Sequence, residues 1–502
     1  MSRKQLLLIA GACLIVAGIG TYVYNRWFSS TKILVVNSLP AQEAEIRLNN
    51  TNKHIDVTCL PMSEAHGFKN YDAVLMFGRG LFLDSIQMAD IREAADAGVK
   101  FFTSTLRNFS VDVNYNVTDA QKDTLQSYFR NPCRSNYSNL LSYARAIATP
   151  DKWGDKSYLP PTLLPNNMFY HLESGKYFEK SSQLTEYLKD RGLYADSNRN
   201  VAFISGITFP VEGNRAHVDT LISRLTREGY NVYPLSASGK ARAKMIKEIS
   251  PAAIVYLPMG RLGNDTLINW CYDQKIPLFM PFPLIQPREK WLDPTLPVTA
   301  GTLNARIVVP EIDGAMTPLC ISTQDAGKDG FMVYNPDPER INAFMEQFTR
   351  FMNLKEMRNI DKKVAIGYFK SPGKDALLAS GMEVVPSLYN FLKRLRGEGY
   401  NVDGLPSTLE EFKKEIMLKG SVMGSYADGA QKKFMDEASP VWLDKTTYEK
   451  WAKEILLPEK YKEVTDRYGA APGNLLSRND SIAIAAIQYG NILLFPQPRP
   501  AL

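Results

Sequence analysis

The sequence predicts an α/β chain: tandem Rossmann- or flavodoxin-like parallel-sheet units following a single N-terminal transmembrane helix. Three observations predict it. Short β-branched runs alternate with helix-period segments, the pattern of parallel α/β layers. A strand–helix–glycine–strand unit recurs, with Leu225, Glu228, Gly229, Tyr230, Asn231 and Val232 repeated as Leu395, Glu398, Gly399, Tyr400, Asn401 and Val402. Ahead of both copies, Leu6–Tyr24 is a run of nineteen residues without a charge.

Composition bounds the rest. With 502 residues, 45% hydrophobic and 22% charged, the chain is neither disordered, collagen-like nor a polytopic membrane protein. Its length implies about three domains. The expected boundaries are an anchor at 1–30, a first α/β domain with a helical insertion at 31–195, a second at 196–360 and a third unit at 361–502. A net charge of +6 without a basic stripe argues against a nucleic-acid partner.

Taken in order, the first element is the anchor. About twenty apolar residues span a bilayer, and Tyr22, Tyr24 and Trp27 suit its headgroup belt. The run is long for a cleaved signal. Arg3, Lys4 and the terminal amine face Arg26 and Lys32 on the other flank, which favours a cytoplasmic N-terminus and a periplasmic body, single-pass in the cytoplasmic membrane. The first α/β unit then reads as strands at Lys32–Val36, Ala73–Phe77 and Val99–Thr103, with a helix over Ser85–Ala97. A long polar connection, 108–200, carries helices at Asp119–Phe129 and Ser181–Arg191. The second unit runs through strands at Val201–Ser205, Ala253–Leu257 and Pro277–Met280, and the third opens at Val364–Tyr368. In the second and third units a helix is expected to end on Gly229 or Gly399, in the left-handed conformation glycine adopts without strain, before the chain turns into a buried strand.

Candidate chemistry is sparse. Gly78-Arg79-Gly80 and Ser371-Pro372-Gly373-Lys374 follow strands but complete neither a dinucleotide fingerprint nor a Walker A loop, so no nucleotide site is expected. Arg79, at a strand's carboxyl end, is placed to receive a propionate or other carboxylate by a forked hydrogen bond. Glu311 and Asp313 flank one apolar residue before Gly314. On a strand they would share a face as a metal-proximal acidic pair, the alternative being a plain acidic turn. His54, His66, His171 and His217 are remote in sequence and form no zinc motif. Cys59, Cys133, Cys271 and Cys320 leave room for one or two disulfides without fixing a pairing.

From about Trp270 onward the chain resembles the large subunits of cobaltochelatase (CobN) and magnesium chelatase (H subunit). The resemblance is carried by Pro310-Glu311-Ile312-Asp313-Gly314, Asn335-Pro336-Asp337-Pro338-Glu339-Arg340, Ser371-Pro372-Gly373-Lys374, Tyr468-Gly469-Ala470-Ala471-Pro472-Gly473 and Gly490 through Pro500, in order. It implies a tetrapyrrole substrate, a divalent metal, partner subunits, and Gln497 and Arg499 as a rim facing the macrocycle. Family members continue through His-rich segments expected to line the metal site, and none of those follows Leu502. The resemblance therefore implies the amino-terminal head of a chelatase-type subunit, truncated or one piece of a split system. An anchored relative outside the ATP supply is similar to the HmuS-like branch found beside haem-uptake genes, which implies removal of iron from haem with an external electron donor and haem-uptake components as partners. The alternatives are ATP-dependent cobalt insertion in cobalamin biosynthesis and a tethered tetrapyrrole-binding module without turnover.

Overall fold

A computed structural model describes residues 16–38, 40–78, 81–104, 113–197, 199–205, 214–295, 298–327, 332–369, 378–379, 381–420, 429–474 and 476–497. Two compact units are present, Met1–Thr349 and Arg350–Leu502. Most of the apolar run, residues 6–15, lies outside the described residues, whereas 16–23 is helical and leads into a π-turn at Tyr24–Phe28. Among the described residues no helix is long and apolar enough to cross a membrane.

The first unit opens with strands β1 (Thr31–Val36), β2 (Ile55–Leu60), β3 (Ala73–Phe77) and β4 (Lys100–Ser104), and with helices α1 (Pro40–Leu48) and α2 (Ser85–Asp96). The strands form a wholly parallel sheet in the order β2-β1-β3-β4. Strand β1 is buried at every position but Lys32, as a sheet covered on both faces requires. Strand β2 is absent from the sequence reading because its apolar positions are broken by Asp56 and Thr58. Helix α2 starts on a capping box in which Asp84 and Gln87 satisfy each other's backbone N–H.

Helices α3 (Asp119–Arg130) and α4 (Arg134–Ala148) pack on this sheet. Arg145 of α4 is fully buried and donates to the carbonyls of His54, Trp153 and Asp155 and to the Thr31 hydroxyl. Its charge is thus spent on tying the entries of β1 and β2 to the 151–156 loop.

The second sheet takes β5 (Met168–His171), β6 (Lys176–Phe178), β7 (Asn200–Ile204), β8 (Asn231–Ser236), β9 (Ala253–Tyr256) and β10 (Leu278–Phe279). Its order is β10-β9-β7-β8-β5-β6. Strands β7 to β10 are parallel, and the β5–β6 hairpin adds antiparallel to β8. The hairpin falls in 168–178, inside the segment read from sequence as part of the first domain, yet it completes the sheet of the second α/β unit. Helices α5 (Ser181–Asp190), α6 (Ala216–Arg227), α7 (Gly239–Ile249) and α8 (Asp265–Asp273) accompany these strands. A small sheet of β11 (Phe282–Pro283), β12 (Cys320–Ala326) and β13 (Met332–Pro336) comes next, and then helix α9 (Pro338–Glu356), which runs past the boundary of the first unit.

In the second unit, β14 (Val364–Tyr368) is succeeded by the short hairpin β15 (Leu378–Ala379) and β16 (Met382–Glu383), and by helices α10 (Val384–Gly397), α11 (Leu409–Lys419) and α12 (Ala430–Glu437). Strand β17 (Val441–Asp444), helices α13 (Lys445–Ile455) and α14 (Pro458–Tyr468), and strands β18 (Ser477–Arg478), β19 (Ser481–Ile484), β20 (Ile487–Tyr489) and β21 (Ile492–Pro496) complete it. Strand β14 pairs in parallel with β21, and β20 with β21 antiparallel.

The expected buried strand after Gly399 does not form. Residues 400–403 make no ladder, and the β20–β21 turn seals them instead, with the Asn491 N–H donating to the Asn401 carbonyl at 3.0 Å. The acidic pair also departs from expectation. Glu311 and Asp313 end a helical stretch, Asn304–Val308 continuing as Val309–Ile312, and do not lie on a strand. Helical geometry sends the two side chains apart, Glu311 to solvent and Asp313 into the protein. Cys59, Cys133, Cys271 and Cys320 are all buried and form no disulfide.

Candidate functional site: an arginine-flanked cavity in the first unit

An apolar recess sits where α5 and α6 meet the edge of the second sheet. Its volume is about 590 Å³, and it adjoins a recess of about 300 Å³ with which it shares Arg134, Leu172, Glu173 and Arg215. That size lies within the ~300–1,000 Å³ of small-molecule sites. Leu184 and Leu188 of α5, Ile222 of α6, and Val232 and Pro234 of β8 supply apolar wall. Helix α5 turns its buried Leu184 and Leu188 to this wall, whereas α6 keeps Val218, Leu221 and Leu225 for the core and offers the cavity Ile222 with the polar Asp219, Ser223, Thr226 and Arg227.

Polar and charged side chains supply the rest of the lining. Tyr170 of β5 is fully buried on the wall, with the Ser205 side chain close to its hydroxyl. Burial pushes that phenol well above the ordinary tyrosine range, so it stays protonated and able to donate. Arg215, only 5% exposed, donates from Nε to both Asp219 oxygens at 3.1 and 3.2 Å and from Nη2 to the Leu172 carbonyl at 2.8 Å. Arg134, the first residue of α4, and Arg227, near the end of α6, stand exposed at the margins. Three arginines face two carboxylates, Asp219 and Glu173, and one of those carboxylates is already taken by Arg215. The surplus suits an anionic ligand with an apolar body.

His171 lies on the same wall. Its Nδ1 meets the Ser174 hydroxyl at 3.0 Å, and its ring packs edge-on against Tyr187. Burial lowers its pKa, with Glu173 opposing, so the imidazole is neutral at physiological pH. Among the described residues no group of three or more His, Cys, Asp and Glu could hold a metal ion.

The residues singled out from sequence are elsewhere. Arg79 and Arg499 lie outside the described residues, as does the Ser371–Lys374 loop. Gly78, next to Arg79, has a packing role: an added Cβ would stand 2.2 Å from the Ser104 carbonyl oxygen at the end of β4. Gln497 is exposed just beyond β21, its N–H donating to the Tyr368 carbonyl at 2.8 Å. Asp313 is held by Arg261 Nε at 2.7 Å and the Leu262 N–H at 3.1 Å, so both its oxygens are engaged. Glu311 is not beside it as a second ligand. Arg215 and Tyr170 escaped the sequence reading because an arginine ahead of a helix and a tyrosine in a short aromatic strand carry no local signal of burial.

The CobN/Magnesium Chelatase family matches residues 126–502, starting well upstream of the segment where the sequence motifs are recognisable. Among curated proteins, the chain is 24% identical over 394 residues to the chloroplastic magnesium-chelatase subunit ChlH of Oryza sativa subsp. indica, covering 72% of this chain and 27% of that protein. It is 21% identical over 400 residues to the aerobic cobaltochelatase subunit CobN of Pseudomonas aeruginosa, covering 76% and 30%. Among solved structures, the catalytic subunit of cobaltochelatase from Mycobacterium tuberculosis superposes with a TM-score of 0.65 at 18% identity, covering 94% of this chain and 39% of that one. The chain thus spans less than a third of the length of these curated relatives. With three quarters of its residues inside the family match, the chain belongs to the CobN/magnesium chelatase family.

Proposed function

We propose that this chain is the head of a membrane-anchored chelatase-family subunit that binds a tetrapyrrole and acts in removing iron from haem for iron or haem acquisition. The observation that carries the reading is the apolar cavity flanked by Arg134, Arg215 and Arg227, in a protein whose family handles tetrapyrroles and metal ions. A flat macrocycle with peripheral carboxylates asks for apolar walls and forked cationic donors, and the cavity offers both. The metal is read as substrate rather than as a resident ion, as the chelatase family implies. The uncharged run Leu6–Tyr24 supports an exported body away from ATP, which favours demetallation with an external electron donor. Chelatase partner subunits or haem-uptake components complete the system.

A second reading is cobalt insertion with ATP-driven partner subunits, favoured by the names of the relatives, magnesium chelatase and cobaltochelatase. A spectral titration of the 502-residue chain with haem and with metal-free porphyrin tests the first reading. The expected result is a saturable Soret shift that Arg215→Met weakens about tenfold, the loss of one charge-assisted contact. Absence of a Soret change with both ligands overturns the tetrapyrrole reading, and cobalt insertion that requires ATP and partner subunits would favour the second. Arg79, Gln497 and Arg499 are proposed as rim residues on the family resemblance alone, and substitution of each in the same titration tests them.

A further inference from the structure

The second sheet carries another recess, apart from the arginine-flanked cavity. Strand β7 is flanked by β8 on one side and β9 on the other, so the chain order reverses there. Ligands of open parallel sheets bind outside the strand carboxyl ends at such a reversal. A recess of about 160 Å³ lies at that place, lined by Ser205 after β7, Ser236 at the end of β8, Tyr256 at the end of β9, and Arg242 and Arg261 from the segments beyond them. It is far larger than the ~15 Å³ that admits one water.

Among the described residues one of its groups lacks a hydrogen-bond partner and another lacks a counter-charge. Tyr256 is 3% exposed, and its hydroxyl has no hydrogen-bond partner. Arg242 is half-buried in the first turn of α7. It donates from Nε to the Ala237 carbonyl at 2.8 Å and from Nη1 to the Leu262 carbonyl at 2.7 Å, and among the described residues no carboxylate pairs with it. Burial works against its charge. The neighbouring Arg261 is accounted for, since it holds Asp313 and Asp265, each at 2.7 Å. That pairing also offsets Asp313, an acid whose charge acts on Tyr256. The start of α7, an eleven-residue helix whose N-cap Ser238 makes no side-chain cap, adds partial positive charge beside the recess.

We propose that this recess is a binding site for a small oxyanion, the carboxylate or phosphate group of a small ligand, held by the Arg242 guanidinium and the Tyr256 hydroxyl. The ligand is an acceptor because the guanidinium can only donate, and the Tyr256, Ser205 and Ser236 hydroxyls that share the recess can each donate alongside it. The site is distinct from the proposed tetrapyrrole cavity and does not rest on that reading.

The test uses the 502-residue chain with inorganic phosphate, acetate and propionate as probes, read by ligand-observed NMR and by the shift in thermal midpoint. Saturable binding of at least one probe is expected, and the class that binds tells phosphate from carboxylate. Tyr256→Phe and Arg242→Met should each weaken it at least about fivefold while leaving the haem titration unchanged. Arg242 also caps two carbonyls, so its variant could fail to fold. Tyr256→Phe removes only a hydroxyl that has no partner among the described residues, and it keeps the proposal testable. With no probe present this variant should match or exceed the parent's thermal midpoint, and with saturating probe it should fall below the parent. The proposal is overturned if no probe binds saturably, if binding is unchanged in the Tyr256→Phe variant, or if chloride competes as well as the oxyanions, which marks an adventitious ion only.

Discussion

At the scale of single residues, the buried polar groups divide into those with partners and those without. Arg145 is the satisfied kind, with carbonyls on three sides. His217 is the other kind: it is fully buried in the first turn of α6, its ring lies 4.3 Å from that of Tyr334, and neither ring nitrogen has a hydrogen-bond partner among the described residues. Burial, with the Arg306 guanidinium adding to it, pushes its pKa from 6.5 down to about 3. The sign comes from proton counting. Between about pH 6.5 and 3 the unfolded chain binds a proton at this site and the folded chain does not, so stability is full above the unfolded value and is lost as pH falls. Its contribution to the slope approaches 1.4 kcal/mol per pH unit in that window. His217→Phe should remove that contribution and be neutral or stabilising at pH 7, because it deletes two unsatisfied nitrogens while keeping the ring. Denaturant unfolding at pH 5, 6 and 7 checks this, and an unchanged slope in the variant would sink the assignment.

At the scale of elements, the repeat seen in sequence holds at the helix ends and then fails. Gly229 and Gly399 have φ of 82° and 85°. In each copy the glycine N–H bonds three residues back, to Thr226 or Arg396, and the next tyrosine's N–H reaches Leu225 or Leu395, at 3.0–3.2 Å. This is a Schellman cap twice over. A Cβ at either glycine would meet nothing within 4 Å, so Gly229→Ala and Gly399→Ala should each cost only the left-handed backbone term, about 1 kcal/mol. Equal losses of unfolding free energy would support the shared geometry, whereas a much larger loss at one site would show that contacts rather than φ decide there. Beyond the glycine the two copies diverge. Asn231 and Val232 enter β8 beside β7, whereas Asn401 is covered by the β20–β21 turn. Helix stops were legible because they are written in neighbouring residues, as were β1, β3 and α2, whose patterns are local. The course of the chain after Gly399 was not, because it is covered by the turn at Gly490, some ninety residues away, where an added Cβ would stand 2.1 Å from the Asn401 side chain. Glu311 and Asp313 misled for the same reason, since a two-residue spacing looks like a strand face until the preceding helical turns are known.

At the scale of the whole molecule, the sequence shows the family and the parallel layers, but not the cavity. The cavity gathers residues from 134 to 234 across α4, β5, α5, α6 and β8, and no spacing rule spans that distance. The relation of the body to its N-terminal run is also partly visible. Arg26 pairs with Asp151 at 3.2 Å, and the Trp153 N–H donates to the Trp27 carbonyl at 2.6 Å, with Phe28 and Trp153 rings 6.4 Å apart. The residues just after the uncharged run are thus fastened to the 151–156 loop and do not hang as a free tether. If Leu6–Tyr24 spans the membrane, this fastening holds the first unit close to the bilayer on the side where Arg26 emerges. On that condition, Arg3, Lys4 and the terminal amine on one flank against Arg26 and Lys32 on the other favour a cytoplasmic N-terminus. Paired reporters fused after Leu502 should therefore show alkaline phosphatase activity and no cytoplasmic fluorescence. The opposite pattern would place the body beside the ATP supply and remove the argument for haem demetallation over cobalt insertion. Recovery of the unfused chain in the soluble fraction after carbonate extraction would remove the anchor itself while leaving the cavity and the family assignment untouched.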